Sequence, residues 1–162
     1  LAKQLPEIQF HIVGGRDEEL ENWRKTPLPE NLTLHGFVEP GRICAVRESF
    51  DVLLLPAQRR VLGATGNEDI SRWMSPLKLF EYMSSGKPIV ASDLPVIREV
   101  LTDGKNALLV DPESLAGWAT AVERLWRNTE LSARLAETAK RDFEAHYTWD
   151  ARAEAVLEGL ER

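Results

Sequence analysis

The sequence predicts an α/β fold built on a doubly wound parallel sheet, and three observations carry that expectation. Strand-like and helix-like segments alternate along all 162 residues. The strand runs are short and continuously apolar, the pattern of strands buried on both faces. Glycine, proline and aspartate punctuate the runs where one element must hand over to the next. The length suits one domain with a real core, spanning 1–162, with 147–162 as a terminal helix.

The elements follow in order. Ile8 to Val13 is a β-rich run stopped by Gly14-Gly15, and Asp17 to Lys25 reads as a polar surface helix with Leu20 and Trp23 inward. Leu32 to His35 alternates as a short strand, and Gly36-Phe37-Val38 turns out of it. Pro40 to Phe50 is a helix whose single cysteine, Cys44, is expected in the core. Val52 to Leu55 is an apolar strand ended by Pro56, and Ala57 to Met74 follows without periodicity. Such a long loop in a compact domain is commonly functional. Strands at Pro88–Ser92 and Ala107–Val110 flank a short helix, Val96–Leu101. Leu115, Trp118, Ala119, Val122, Leu125 and Trp126 then fall at helical spacing, as do Leu131, Leu135, Thr138 and Ala139, and both sets read as core packing.

Composition narrows the function. Twenty basic and 26 acidic residues leave a net charge of −6, which argues against a nucleic-acid partner held by overall attraction. From Gln58 to Lys78, however, Arg59, Arg60, Arg72 and Lys78 outnumber Glu68 and Asp69, so this window is +2 and the remainder −8. A local positive patch suits a small anionic ligand. One cysteine rules out an internal disulfide and fits a reducing compartment, and no run approaches membrane-spanning length.

The most informative segment runs from Ser75 to Ala91. Ser75 is a good N-cap, and Pro76 suits the first helical position because its missing N–H would have been unpaired there. Gly86 fits the left-handed position that ends a helix, and Pro88 prevents continuation. A helix start at the C-terminal ends of parallel strands presents free N–H groups and a positive dipole end, which together hold phosphate. Lys78 adds a cation, and the Glu81 carboxylate accepts hydrogen bonds from neighbouring hydroxyls such as those of a ribose. A nucleoside diphosphate is the ligand this segment suits.

These residues resemble a known family. SPLKLFEYMSSGKPIVASDLPVIREVL, preceded by FHIVGG, LHGFV and DVLLLP and followed by NALLVDPES, is similar to the carboxy-terminal, donor-binding domain of GT-B glycosyltransferases of family 4 (group 1). The resemblance covers nearly the whole chain and implies a Rossmann-like half of a GT-B fold. It implies a retaining enzyme that passes a sugar from a nucleotide-diphosphate donor to a carbohydrate or lipid-linked acceptor held by a separate amino-terminal domain. Glu81 then falls where the family binds ribose, Leu77 and Lys78 where backbone N–H groups meet the diphosphate, and Gly36, Phe37 and Val38 where main chain lines the nucleobase pocket. Ser75 and Pro76 open the phosphate-binding helix, and Arg72 is a further candidate for the phosphates. The nucleotide sugar is a substrate; no cofactor and no bound metal are implied, and the setting is cytoplasmic, with peripheral association at the inner leaflet.

Two departures qualify the resemblance. Many members carry two glutamates seven residues apart, and the earlier one falls on Trp73, which cannot accept from sugar hydroxyls; Asp69 is one candidate replacement. The family also opens this domain with a strand, a basic glycine loop and a helix ahead of the point matching Leu1. That strand would lie mid-sheet beside the Ile8–Val13 run, so an upstream segment is expected to supply it, and the fragment alone is expected to transfer nothing. No catalytic residue is assigned.

Other readings are weaker. No Gly-x-Gly-x-x-Gly follows the first strand and there is no P-loop. His11, His35 and His146 are scattered, without metal-ligand spacing, and read as structural. No serine-hydrolase arrangement and no acid–base set for an epimerase is evident. A non-catalytic glycosyltransferase-like binding module is the alternative, and Trp73 is the feature that favours it.

Overall fold

A computed structural model describes residues 1–61, 69 and 77–160. It resolves into two compact units, Leu1–Ser49 and Phe50–Arg162. In each, parallel strands are joined through helices, as expected for a Rossmann-like α/β fold.

The first unit contains β1 (Phe10–Val13), α1 (Asp17–Arg24), β2 (Leu32–Gly36) and α2 (Pro40–Glu48). β1 and β2 pair in parallel. Ahead of β1 the chain has turns but no helix or strand, and Asn31 holds it in place. Its buried carboxamide nitrogen donates to the carbonyls of Ala2, Leu5 and Ile8 at 3.0, 2.9 and 2.8 Å. Three acceptors around one side chain identify the NH2 group as the atom that points at them. α1 begins with Asp17, Glu18 and Glu19, acids that favour the positive end of the helix dipole. The Glu19 carboxylate accepts from the Arg16 backbone N–H and guanidinium, at 3.0 and 2.9 Å, and the backbone bond chiefly holds its pKa below the usual value.

Two expectations for this unit fail. Trp23 does not face inward: it is 53% exposed, and Leu20 alone of α1 is buried. One buried residue in eight is what a short helix of mostly charged side chains offers. Cys44 is exposed, and no α2 residue is buried. Its apolar residues, Ile43, Cys44, Ala45 and Val46, are consecutive and so spread around the helix instead of forming a stripe.

The second unit holds β3 (Leu53–Leu55), α3 (Leu77–Ser84), β4 (Ile89–Ser92), α4 (Pro95–Arg98), β5 (Leu108–Val110), α5 (Leu115–Arg127), α6 (Thr129–His146) and α7 (Trp149–Leu160). Its sheet is parallel in the order β3-β4-β5, with Leu54 opposite Val90 and Ala91 opposite Leu109. All four residues of β4 are buried, as a central strand covered on both faces requires. α3 lies against β3 and packs on α6, and α5 packs on β4 and β5. The core joins Leu55, Leu79, Met83, Ile89, Ile97 and Leu101 with Ala139 of α6. Asn106, also buried, accepts from the Thr102 N–H at 2.8 Å and donates to Asp142 Oδ2 at 2.9 Å, tying the entry of β5 to α6.

α5 and α6 are core helices as their spacing predicts, through Trp118, Ala121, Val122 and Leu125 and through Leu131, Leu135 and Ala139. Leu115 and Trp126, expected among them, are exposed at the margins of the apolar stripe. Asn128 serves both helices: it ends α5, and its Oδ1 accepts from the Leu131 N–H at 2.9 Å to start α6. Met83 is fully buried in the core, so Met83→Ala should cost about 2–5 kcal/mol in chemical denaturation. Trp149→Ala, at an exposed position, should change stability by no more than about 0.5 kcal/mol.

Candidate functional site

Parallel strands joined by helices bring all the strand exits to one edge, where ligands of such folds bind. In the second unit this edge is formed by the residues after Leu55, Ser92 and Val110. The Ser92 side chain, fully buried, accepts from the Ala57 N–H and donates to the Ala57 carbonyl, both at 2.8 Å. One hydroxyl thereby pins the chain leaving β3 to the last residue of β4. The Asp93 N–H donates to the Val110 carbonyl at 2.7 Å and extends the pairing of β4 with β5 by one residue.

Charged pairs line the same edge. Arg98 grips Asp93 through two nitrogens, Nε to Oδ1 and Nη2 to Oδ2, the second at 2.8 Å. This hydrogen bonding holds the Asp93 carboxyl below the usual aspartate value. Arg59 Nη2 donates to Asp111 Oδ2 at 2.7 Å, and its Nε lies 3.6 Å from Glu113 Oε1. The Glu113 N–H, 2.9 Å from Asp111 Oδ1, is the main cause that lowers the Asp111 pKa, with Arg59 adding to it.

The positive window around residues 58–78 is therefore less bare than its composition implies. Arg59 is answered by Asp111 and Glu113, which lie far along the chain, a pairing that no local count detects. Arg60 Nε sits 3.9 Å from Asp69 Oδ2, and Asp69 Oδ1 accepts from the Val61 N–H at 3.3 Å. Ser75, Pro76, Arg72 and Trp73 lie outside the described residues.

α3 begins at this edge because it crosses back over the sheet to feed β4. Leu79 and Met83, four residues apart, are buried, so Leu77, Lys78 and Glu81 occupy exposed positions of the same helix. At its far end Gly86 adopts φ +66°, the left-handed cap anticipated from SSGKP. The helix is thus anchored by its apolar stripe and its cap, with a cation and a carboxylate outward near its start.

The first unit contributes a separate feature. Gly36 closes β2 with φ +72°, and a Cβ there would come within 3.1 Å of Leu20 Cδ1. Gly14 N–H donates to the Gly36 carbonyl at 2.7 Å, tying the ends of β1 and β2 together. Phe37 follows at 75% exposure and Val38 is half-buried. The chain leaves β2 at Gly36 as expected, with the Phe37 ring exposed at the strand end.

Sequence reasoning missed one cluster. His11 and His35, read as scattered, meet across β1 and β2 with Nδ1 and Nε2 2.9 Å apart. The signal was the parallel pairing itself, which sets residues about two dozen positions apart side by side.

Comparisons with known proteins agree on the family and the fold. A family model described as glycosyl transferases group 1 matches residues 1–128. A phosphatidyl-myo-inositol mannosyltransferase of Mycobacterium leprae is 32% identical over 93% of this chain, and spore coat protein SA of Bacillus subtilis is 25% identical over the whole of this chain. The chain spans 37% and 42% of those two relatives. Among solved structures, Anabaena HepE in complex with UDP has a TM-score of 0.74 at 18% identity, covering 96% of this chain and 41% of that one. The carboxy-terminal domain of LpcC, a glycosyl transferase group 1 family protein from Francisella tularensis, has a TM-score of 0.63 at 15% identity, with 90% and 91% coverage.

Asp93, with its pKa depressed by Arg98, stabilises the fold above the ordinary aspartate pKa, and that contribution is lost as pH falls through its lower folded value. Urea unfolding should therefore show stability declining below about pH 4, and Asp93→Asn should flatten that decline.

Proposed function

The chain belongs to the glycosyl transferases of group 1, and from that premise we propose that it is the donor-binding half of a retaining glycosyltransferase. The donor is a nucleotide-diphosphate sugar, and the acceptor, a carbohydrate or lipid-linked molecule, is held by a separate amino-terminal domain. The observation that carries this reading is the outward placement of Lys78 and Glu81 on α3, whose start faces the strand-exit edge. Glu81 accepts from the ribose hydroxyls. The Leu77 and Lys78 amides, the helix dipole and the Lys78 ammonium stabilise negative charge as it develops on the departing diphosphate. Arg72, Ser75 and Pro76, outside the described residues, complete the proposed set of phosphate contacts, and the Gly36–Val38 main chain is the proposed contact for the base. Asp69 stands in for the glutamate that Trp73 replaces. With the acceptor held on that separate domain, this chain alone transfers nothing.

Two comparisons support the ligand class. HepE has been solved with UDP-glucose, and the mannosyltransferase relative is named for a lipid acceptor. A second reading, a glycosyltransferase-like module without catalysis, draws on Trp73 and on the relative named as a spore coat protein.

Calorimetric titration of the full-length protein with UDP, GDP and ADP should reveal binding of at least one. Glu81→Ala should weaken it about tenfold or more, the size of a lost hydrogen bond to a charged group. Lys78→Met should weaken it less. Slow hydrolysis of the matching donor sugar by the wild type separates enzyme from module. No binding of any nucleotide would remove the donor-site reading.

A further inference from the structure

The pair of imidazoles on β1 and β2 lies outside everything the donor-site reading uses. His11 and His35 are both exposed, with ring centroids 5.1 Å apart and planes inclined at 39°. The strand register explains how they come together. His11 pairs with Thr33 and Ile12 with Leu34, but Val13 pairs with Gly36, which leaves His35 as the additional residue of a bulge. Thr33 and His35 both fall on the exposed side of β2, alternating with Leu32 and Leu34, so His35 shares the face of Thr33, the partner of His11.

We propose that His11 Nδ1 and His35 Nε2 form a two-histidine site for a borderline divalent transition ion, copper(II) or nickel(II) ahead of zinc. Two bonds of about 2.0–2.1 Å at a right angle separate the donor nitrogens by about 2.9 Å, whereas a tetrahedral angle separates them by about 3.3 Å. The observed 2.9 Å is the spacing of a hydrogen bond between the rings, and small ring rotations reach either arrangement; among divalent ions on nitrogen donors, copper(II) binds tightest. One nitrogen of the hydrogen-bonded pair must carry a proton. On binding, that ring moves its proton to its other nitrogen through solvent, so both lone pairs face the ion. Among the described residues no group of three or more histidine, cysteine, aspartate or glutamate side chains could hold a metal. With two imidazole donors the ion is held loosely, and a chelator strips it readily.

Copper(II) titrated into the full-length protein and followed by calorimetry and electron paramagnetic resonance should give one saturable site with two nitrogen donors. His11→Asn and His35→Asn should each weaken it at least tenfold and leave one nitrogen fewer, with UDP binding unchanged. Circular dichroism checks that each variant keeps its strands. Should either unfold, sub-stoichiometric nickel(II) in the wild-type protein decides the matter. It should broaden the imidazole resonances of His11 and His35 and spare His146. Unchanged copper affinity in both folded variants, absence of saturable binding, or equal broadening of all three histidines would overturn the site.

Discussion

The rotational phase of α3 is set by two apolar side chains, and which of its residues face outward depends on it. Leu79 and Met83 sit four residues apart, so they stack on one face, where the core takes both below about one-fiftieth of their free surface. Burial of each contributes about 1.5–3 kcal/mol, enough to forbid the helix from rolling. At about 100° per residue, Glu81 then lies nearly opposite the buried stripe. The phase of the helix, set by the core, is what turns this carboxylate outward. The helix ends are fixed by other means: Gly86 stops it in a left-handed turn, and the crossover from the sheet edge determines where it starts.

The strand-exit edge adds a different kind of constraint. Ser92 joins β4 to the chain leaving β3, while Arg59 reaches from that same chain to Asp111 beyond β5. Three consecutive exits are thus linked by one buried hydroxyl and one exposed ion pair. The contribution of the ion pair is small in water and weakens with salt. The hydroxyl, fully buried and satisfied as both donor and acceptor, carries more weight. Among the described residues of this edge, Arg59, Arg60 and Arg98 already have carboxylate partners.

Much of this was legible in the chain. Apolar runs located β3, β4 and β5, and alternation located β2, whose Thr33 and His35 are exposed. Gly86 and the proline after it marked the end of α3, and the spacing of Trp118, Val122 and Leu125 marked the buried face of α5. The errors share a physical origin. Trp23 and Cys44 were placed inside from local pattern alone, yet α1 and α2 are short, and α2 spreads its apolar residues around the axis. The Arg59–Asp111 pair and the meeting of His11 with His35 depend on strand register, which periodicity does not reveal. The family resemblance reached further than pattern because it carried the order of the blocks along with their composition.

Asn31 supports the approach to β1 by donating to three carbonyls with one amide group. Hydrolysis of that amide to a carboxylate, the common ageing reaction of asparagine, changes one heavy atom and leaves the shape intact. It also removes every donor and sets negative charge against three oxygen dipoles. The first stretch of the chain would be pushed off β2 by the residue that now fastens it. Damage at this one residue would therefore register within the first unit, at the opening residues of the chain.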